Sequence, residues 1–530
     1  TLLGFPTTHS EHFSNARFFY PLAHDPRPRF VHSGQNFSLK LHISHENRFY
    51  ARREWTDAIS RQYNKPKKRA GQNGQTEQRT EYRERGIFMA SNMSTHESFD
   101  APGTAVSNDA VYQYLPVTYT PADTEILRTL AKEYMAYATL PVQQQTIRLW
   151  QRVNDLQSAR PVLIHSEIPW HEMNVDDELT LRTSTPFARR IEEDFRRRLY
   201  LWRHMPGDMV LEPVCYAPMI IENSGIGLAI EEETRALDEK NNIVGHAFTS
   251  QISCLEDLEQ LTPPVVTLDR DKTAETLAAY QDIFRDIIPV ELRGCPGFWF
   301  APMDDIVQYM GVEDLLCNLM DEPELVHATM HRVMDCYLAG LEQYEALGCL
   351  ATNNINYRIG SGGYGYTAEL PRGTAHGMRC TGMWGAAASQ IFTSVSPAMH
   401  DEFSIQYEKE WLDRFPLSYY GCCERLDNKI DILRQIRSLR KISISPWSDA
   451  AHAAEVIGRQ YVISLKPSPA ALAFENFDEE AVRRDVGERL AAVRGCNVEV
   501  VIKDISTVRY QPERLWRWVE IVHTLCQSQT

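Results

Sequence analysis

The sequence predicts an α/β fold: a (β/α)8 TIM barrel behind a disordered N-terminal extension. Three observations lead there. Short β-rich runs alternate with helical runs through the C-terminal half at a spacing of about 20–40 residues, and repeated strand–helix units of that length mean a parallel sheet. Earlier runs of strand character bring the count to eight. The first 88 residues differ in kind, with 15 Lys and Arg against 8 Asp and Glu, no Cys and no Met.

The 530-residue chain has a net charge of −16; the first part holds +7 of this, so the rest holds −23. With 43% hydrophobic residues, this excludes a polybasic nucleic-acid binder, a collagen-like fibre and a mainly disordered polymer. No stretch approaches the ~18 apolar residues of a membrane span, and no basic-then-apolar start marks a secretory signal. The expectation is a soluble cytoplasmic protein with neither nucleic acid nor membrane as partner. Eleven cysteines, odd in number and irregularly spaced, argue against a disulfide framework and for buried thiols in a reducing compartment.

Taken in order, residues 1–105 read as a disordered or non-native extension. Arg61 to Arg85 is polar, with a basic run Lys65–Arg69 and no helix or strand period. Natural translation is expected to start at Met89 or Met93. Residues 106–530 read as one barrel domain with N-terminal helices. The stretches 123–155 and 186–205 are amphipathic helices, and the Arg- and Glu-rich Leu181–His204 reads as a solvated face. Helices follow at 273–287 and at 313–347, the latter with a break at Pro323. The eight strand candidates are Pro161–His165, Met209–Cys215, Ile288–Leu292, Gly348–Asn353, Leu417–Cys422, Lys441–Ser445, Tyr461–Lys466 and Asn497–Asp504. Helices Asp427–Ser438, Asp449–Arg459, Glu479–Arg494 and Pro512–Cys526 separate or follow the last four. Gly360-Ser361-Gly362-Gly363 lacks a Walker lysine and reads as a flexible turn rather than a phosphate cradle.

In such barrels the site lies at the carboxyl ends of the strands. Those ends carry His165 and Glu167, with His171 and Glu172 just beyond; Asn353 to Asn356; Cys422-Cys423-Glu424; Trp447; Lys466; and Lys503-Asp504. Buried lysines and carboxylates must be paired or titrate abnormally, so their convergence points to a ligand site. Adjacent residues on a strand face opposite ways; unless the strand has already ended, one of Cys422 and Cys423 faces the lumen and the other packs behind it. The lumenal thiol reads as a nucleophile or a soft-metal ligand, with Glu424 as an oxygen ligand or general base.

Several segments resemble the uroporphyrinogen decarboxylase-like superfamily over roughly residues 160–525. Ser396-Pro397 to Glu402-Phe403 is similar to its "SP…EF" segment. Tyr419-Tyr420-Gly421-Cys422-Cys423-Glu424 falls where its methyltransferase branch has His-x-Cys-Gly, and Lys503-Asp504 to Leu515 falls where its barrel ends. The resemblance implies a TIM barrel of that type, often paired as a homodimer. It also implies one of two chemistries: decarboxylation of a porphyrin precursor, or methyl transfer between a corrinoid-binding partner protein and a thiol activated by zinc. The sequence departs from both. Glu167 and His165 lie in the stretch where the decarboxylases have an arginine-containing run, and Tyr420 stands where the zinc-binding His would be.

The leading expectation is therefore a methyltransferase-like enzyme acting on a small molecule. Cys422 would be nucleophile or metal ligand, Glu424, His171 and Glu172 would complete the site or move protons, and Asp504 would orient Lys503. Lys466 and Lys503 would bind an anionic part of the substrate, and Asn354 and Trp447 would line the pocket. A zinc site would use Cys422 and Glu424. The alternatives are a decarboxylase using Lys466, Lys503 and Arg358, and a non-catalytic barrel that binds a corrinoid or tetrapyrrole.

Overall fold

The computed structural model describes residues 114–236 and 244–529. The predicted extension, its basic run and both candidate start methionines lie outside the described residues.

Thr120 and Asp123 start the first helix, α1 (Pro121–Ala138). The Thr120 hydroxyl accepts the Asp123 N–H at 3.1 Å, and Asp123 Oδ2 accepts the Thr120 N–H at 3.0 Å, which satisfies two otherwise orphaned donors. Pro141 then divides the expected 123–155 helix in two, because proline cannot continue a helix but can begin one; α2 is Pro141–Asn154. In α3 (Pro186–His204) the expected solvated face carries a buried charge. Glu192 is fully buried; it accepts the Arg182 and Thr183 amides and pairs with Arg196 at 2.7 Å.

Eight strands are parallel: β1 (Val162–His165), β2 (Cys215–Pro218), β3 (Val290–Arg293), β4 (Trp384–Ala387), β5 (Leu417–Tyr420), β6 (Leu439–Ile444), β7 (Val462–Leu465) and β8 (Asn497–Ile502). Six form one sheet in the order β4-β5-β6-β7-β8-β1, while β2 and β3 form a pair of their own. The fold is thus α/β with a six-stranded parallel sheet, and the ladders do not close the expected ring of eight. The membership also differs. Gly348–Asn353 is not a strand and meets the segment after β3 through one bridge, Cys295 to Leu350. Its place in the count is taken by Trp384–Ala387. Two short antiparallel pairs, Ile221–Asn223 with Val266–Leu268 and Glu232–Ala236 with Val244–Phe248, are inserted between β2 and β3.

Side chains stitch both edges of the six-stranded sheet. At β4, Asn353 Nδ2 donates to the Trp384 carbonyl and Asn353 Oδ1 accepts the Trp384 N–H, each at 2.9 Å. At β1, Asp208 Oδ2 accepts the Leu163 N–H at 2.8 Å and the Asp208 N–H donates back to the Leu163 carbonyl at 2.9 Å. An edge strand left bare exposes unpaired amides; here an amide and a carboxylate supply the partners.

Alternation along the strands divides two cores. Leu163, Tyr420, Val500 and Ile502 pack outwards in the larger core. Val162, Ile164, Tyr419 and Val501 face inwards, against Trp150, Tyr357 and Tyr364. The inward space is filled by residues 354–366, which reach Ala386, Tyr419 and Glu499 on the sheet. This is where Gly360–Gly363 lies: it does turn the chain, as expected, but packed against the sheet rather than as a flexible loop. A Cβ on Gly362 would lie 2.4 Å from the Tyr419 ring and 2.5 Å from Glu499 Oε1. The Gly363 N–H donates to that same carboxylate at 3.0 Å. Glu499 is in turn paired with Lys441 at 2.8 Å, both side chains fully buried.

Candidate active site

Beyond the carboxyl ends of β5 and β8, the chain brings two thiols and two carboxylates around one ammonium group. Lys503 Nζ lies 3.5 Å from Cys422 Sγ, 3.6 Å from Cys423 Sγ, 2.8 Å from Asp504 Oδ2 and 3.4 Å from Glu167 Oε2. The two sulfurs are 3.6 Å apart. The expectation that one thiol packs behind the other fails because β5 ends at Tyr420 and Gly421 follows with φ near +100°. Strand alternation no longer applies there, so both sulfurs face Lys503.

Backbone strain holds the acids in place. Glu167 and Asp504 adopt φ of 53° and 55°, a left-handed conformation costly for residues with a Cβ. The Asp504 N–H donates to Glu167 Oε2 at 2.9 Å, which ties the two strained residues to each other. Strain of this kind collects at functional sites.

The charges are set by this geometry. The Cys423 thiol beside it and the Lys503 ammonium hold the Cys422 thiol below its ordinary value, against the effect of burial. The Cys422 contact, together with burial, pushes Cys423 up. Burial works against Lys503, yet Cys422, Glu167 and Asp504 keep its ammonium charged well above the ordinary lysine range. Burial likewise opposes ionisation of Asp504, but Lys503 holds it below the usual carboxylate range. The result is a buried thiol with a lowered value beside a charged ammonium.

Lys466 joins the same end of the sheet. Its Nζ donates to Tyr419 OH and Ser443 Oγ at 2.7 Å each and to Ser464 Oγ at 3.3 Å. Ser443 Oγ donates on to the Cys422 carbonyl at 2.6 Å. Lys466 is buried, and among the described residues no carboxylate pairs with it.

Other expected site residues do different work. Glu424 is fully buried and accepts the Cys422 N–H at 2.7 Å and the Ser389 N–H at 3.1 Å. It shapes the turn that carries the thiols and faces the backbone rather than the sulfur. Glu172 accepts the Thr507 hydroxyl at 2.7 Å and the Val508 N–H at 2.6 Å, closing the loop after β8; His171 lies against the Tyr510 ring. Asn354 directs its amide to the Thr367 and Leu370 carbonyls at 3.0 and 3.1 Å, so it braces its own loop instead of lining a pocket. Trp447 is 72% exposed, outside any enclosed wall. Arg358, on the segment that fills the inner face, is buried and donates from Nε to the Gly362 carbonyl at 2.9 Å.

The expected zinc ligands Cys422 and Glu424 do not form a site, because the Glu424 carboxylate is taken by the Cys422 and Ser389 N–H groups. Among the described residues no three His, Cys, Asp or Glu side chains are grouped to hold a metal ion. The position between the sulfurs and carboxylates is taken by an ammonium, so these residues as arranged do not fit zinc. No helix of the described residues is long and apolar enough to cross a membrane.

Sequence reasoning placed Cys422, Lys466, Lys503 and Asp504 at strand ends, where the structure also has them. It overlooked a buried network behind them. Ser389 Oγ donates to Glu408 Oε1 at 3.0 Å, Tyr420 OH donates to Glu408 Oε2 at 2.6 Å, and His400 Nε2 lies 2.8 Å from Tyr420 OH. Burial pushes Glu408 up to about 7. Glu408 stands among Gln406, Lys409 and Glu410, so nothing in the sequence sets it apart from a solvated helix face.

No family model matches the chain, and no curated protein matches it in sequence. Among solved structures, 22 chains match. One is a methyltransferase from Methanosarcina mazei, 12% identical, with a TM-score of 0.42, covering 72% of this chain and 98% of that one.

Proposed function

We propose that the chain is a methyltransferase-like enzyme in which the Cys422 thiolate attacks an alkyl group, foremost a methyl, carried by a small molecule. The observation that carries this reading is the 3.5 Å approach of Lys503 Nζ to Cys422 Sγ. A thiolate is the reactive form of cysteine, and a neighbouring cation favours it. In the step, the sulfur–carbon bond forms as the bond from carbon to its leaving group breaks, and the electron pair departs with that group. Asp504 and Glu167 fix Lys503, and Glu424 fixes the Cys422 backbone.

The finer architecture belongs to this reading: a barrel of the uroporphyrinogen decarboxylase-like type, with side-chain stitches at its seams in place of two ladders. So does a corrinoid-carrying partner protein as methyl donor. The test is transfer from methylcobalamin or a methylated sulfonium to the protein, read by mass spectrometry of the peptide holding Cys422. A methyl adduct on Cys422 in the wild type and in Cys423→Ser, but not in Cys422→Ser, is expected. Absence of any adduct with both donors refutes the nucleophile.

A carboxy-lyase is the second reading. The observation favouring it is Lys466, a buried ammonium facing three hydroxyls and, among the described residues, no carboxylate. Carbon dioxide release that survives Cys422→Ser and is lost in Lys466→Met would select it.

A further inference from the structure

Arg358 is buried, and Glu167 feels its charge but pairs with Lys503 instead. The arginine lies on the segment that fills the inner face of the sheet. Its one hydrogen bond runs from Nε to the Gly362 carbonyl at 2.9 Å, and among the described residues no carboxylate pairs with it. It lines a narrow cleft with Phe298, Tyr357, Gly360, Trp384 and Gly385. Buried charges are paired or hydrogen-bonded as a rule, because leaving one bare in low dielectric is costly. Here the two terminal nitrogens of the fork have neither. The protein offers the cleft a positive field. That field, after burial, helps push His165 down to about 4, so His165 is neutral at physiological pH and supplies no competing cation.

We infer that the cleft at Arg358 binds a carboxylate. A guanidinium presents two parallel N–H groups in one plane, which match the two oxygens of a carboxylate. The enclosed space is about what one or two waters need, which suits a planar carboxylate head better than a tetrahedral phosphate. The cleft adjoins the reactive end through the next residues of the same segment: Ser361 Oγ donates to the Gly421 carbonyl at 3.1 Å, one residue before Cys422. Assigning the carboxylate to the substrate of alkyl transfer deepens the reading above and rests on it; the binding itself does not.

The test uses the full-length protein at fixed ionic strength, with acetate, acetamide and inorganic phosphate as probes. Phenylglyoxal modification of Arg358 is followed by mass spectrometry, and thermal unfolding is followed alongside. Acetate should slow modification of Arg358 several-fold and raise the Tm, acetamide should do neither, and phosphate should do less. Arg358→Gln should fold with a Tm no lower than the wild type, since it removes an unpaired charge, and should lose the acetate response. Equal protection by acetamide, stronger protection by phosphate, or an acetate response that survives in Arg358→Gln overturns the inference. So does a variant that no longer folds, because the arginine would then be held by the fold's own anion. Acetate binding without a methyl adduct on Cys422 refutes only the functional reading; an adduct without acetate binding refutes only this one.

Discussion

Replacing Lys503 with glutamine should switch off the reactive thiolate while leaving the fold in place. The ammonium stands 3.5 Å from Cys422 Sγ. At that separation and an effective dielectric constant of about 20, a unit charge pair is worth about 4–5 kcal/mol. One pKa unit corresponds to about 1.4 kcal/mol, so loss of the cation should raise the Cys422 thiol by about three units. Glu167 and Asp504 would remain as negative neighbours and push in the same direction. Lys503→Arg keeps the charge and should stay within about one unit of the wild type. The assay is the rate of iodoacetamide alkylation at Cys422 between pH 5 and 10, with fragment ions separating Cys422 from Cys423. The wild-type rate should rise through a midpoint below that of an ordinary thiol, and the glutamine variant should need a pH at least two units higher. A midpoint within half a unit of the wild type in Lys503→Gln would refute the electrostatic argument, as would an arginine variant that behaves like glutamine.

Three further outcomes follow from the buried groups. Glu408 has its folded-state value raised to about 7 from an ordinary 4.5, so its protonated form favours folding and that contribution is lost as pH rises through 7; Glu408→Gln should be more stable than the wild type at pH 8 by up to ~3 kcal/mol, and no more stable at pH 4, in urea titrations. Lys441→Met leaves Glu499 buried without its cation and should cost about 3–5 kcal/mol, while the Lys441→Met/Glu499→Gln double variant should recover much of it in the same titrations. Gly362→Ala forces a methyl to 2.4 Å from the Tyr419 ring and should cost at least about 1–3 kcal/mol, seen as a lower Tm.

The strand–helix rhythm after residue 417 was legible because each strand is a short apolar run bounded by polar or turn residues. Those strands appear within a residue or two of the expected bounds at their starts, and each ends earlier than expected. Trp384–Ala387 was not legible: three of its four residues are Gly or Ala, small because the inner segment approaches the sheet there. The position of a Cβ on Gly360, for example, lies 3.2 Å from the Ala386 Cβ. Gly348–Asn353 misled for the opposite reason. Its composition suits a strand, but Asn353 pairs with β4 through its side chain, which no periodicity records. Cys422, Lys466 and Lys503 could be placed because strand ends can be read from a sequence. Asp504 could be paired with Lys503, as the structure has it; Glu167 as a second anion on that ammonium could not, because its reach depends on positive φ at a residue with a Cβ. Glu424 and Glu172 were over-read. A carboxylate that binds backbone amides looks, in sequence, like one free for chemistry.

The segment 354–366 lies along the inner face of the sheet and reaches the Gly421 carbonyl, one residue from Cys422. A substitution packed into that segment would therefore be felt at the thiols without touching either sulfur.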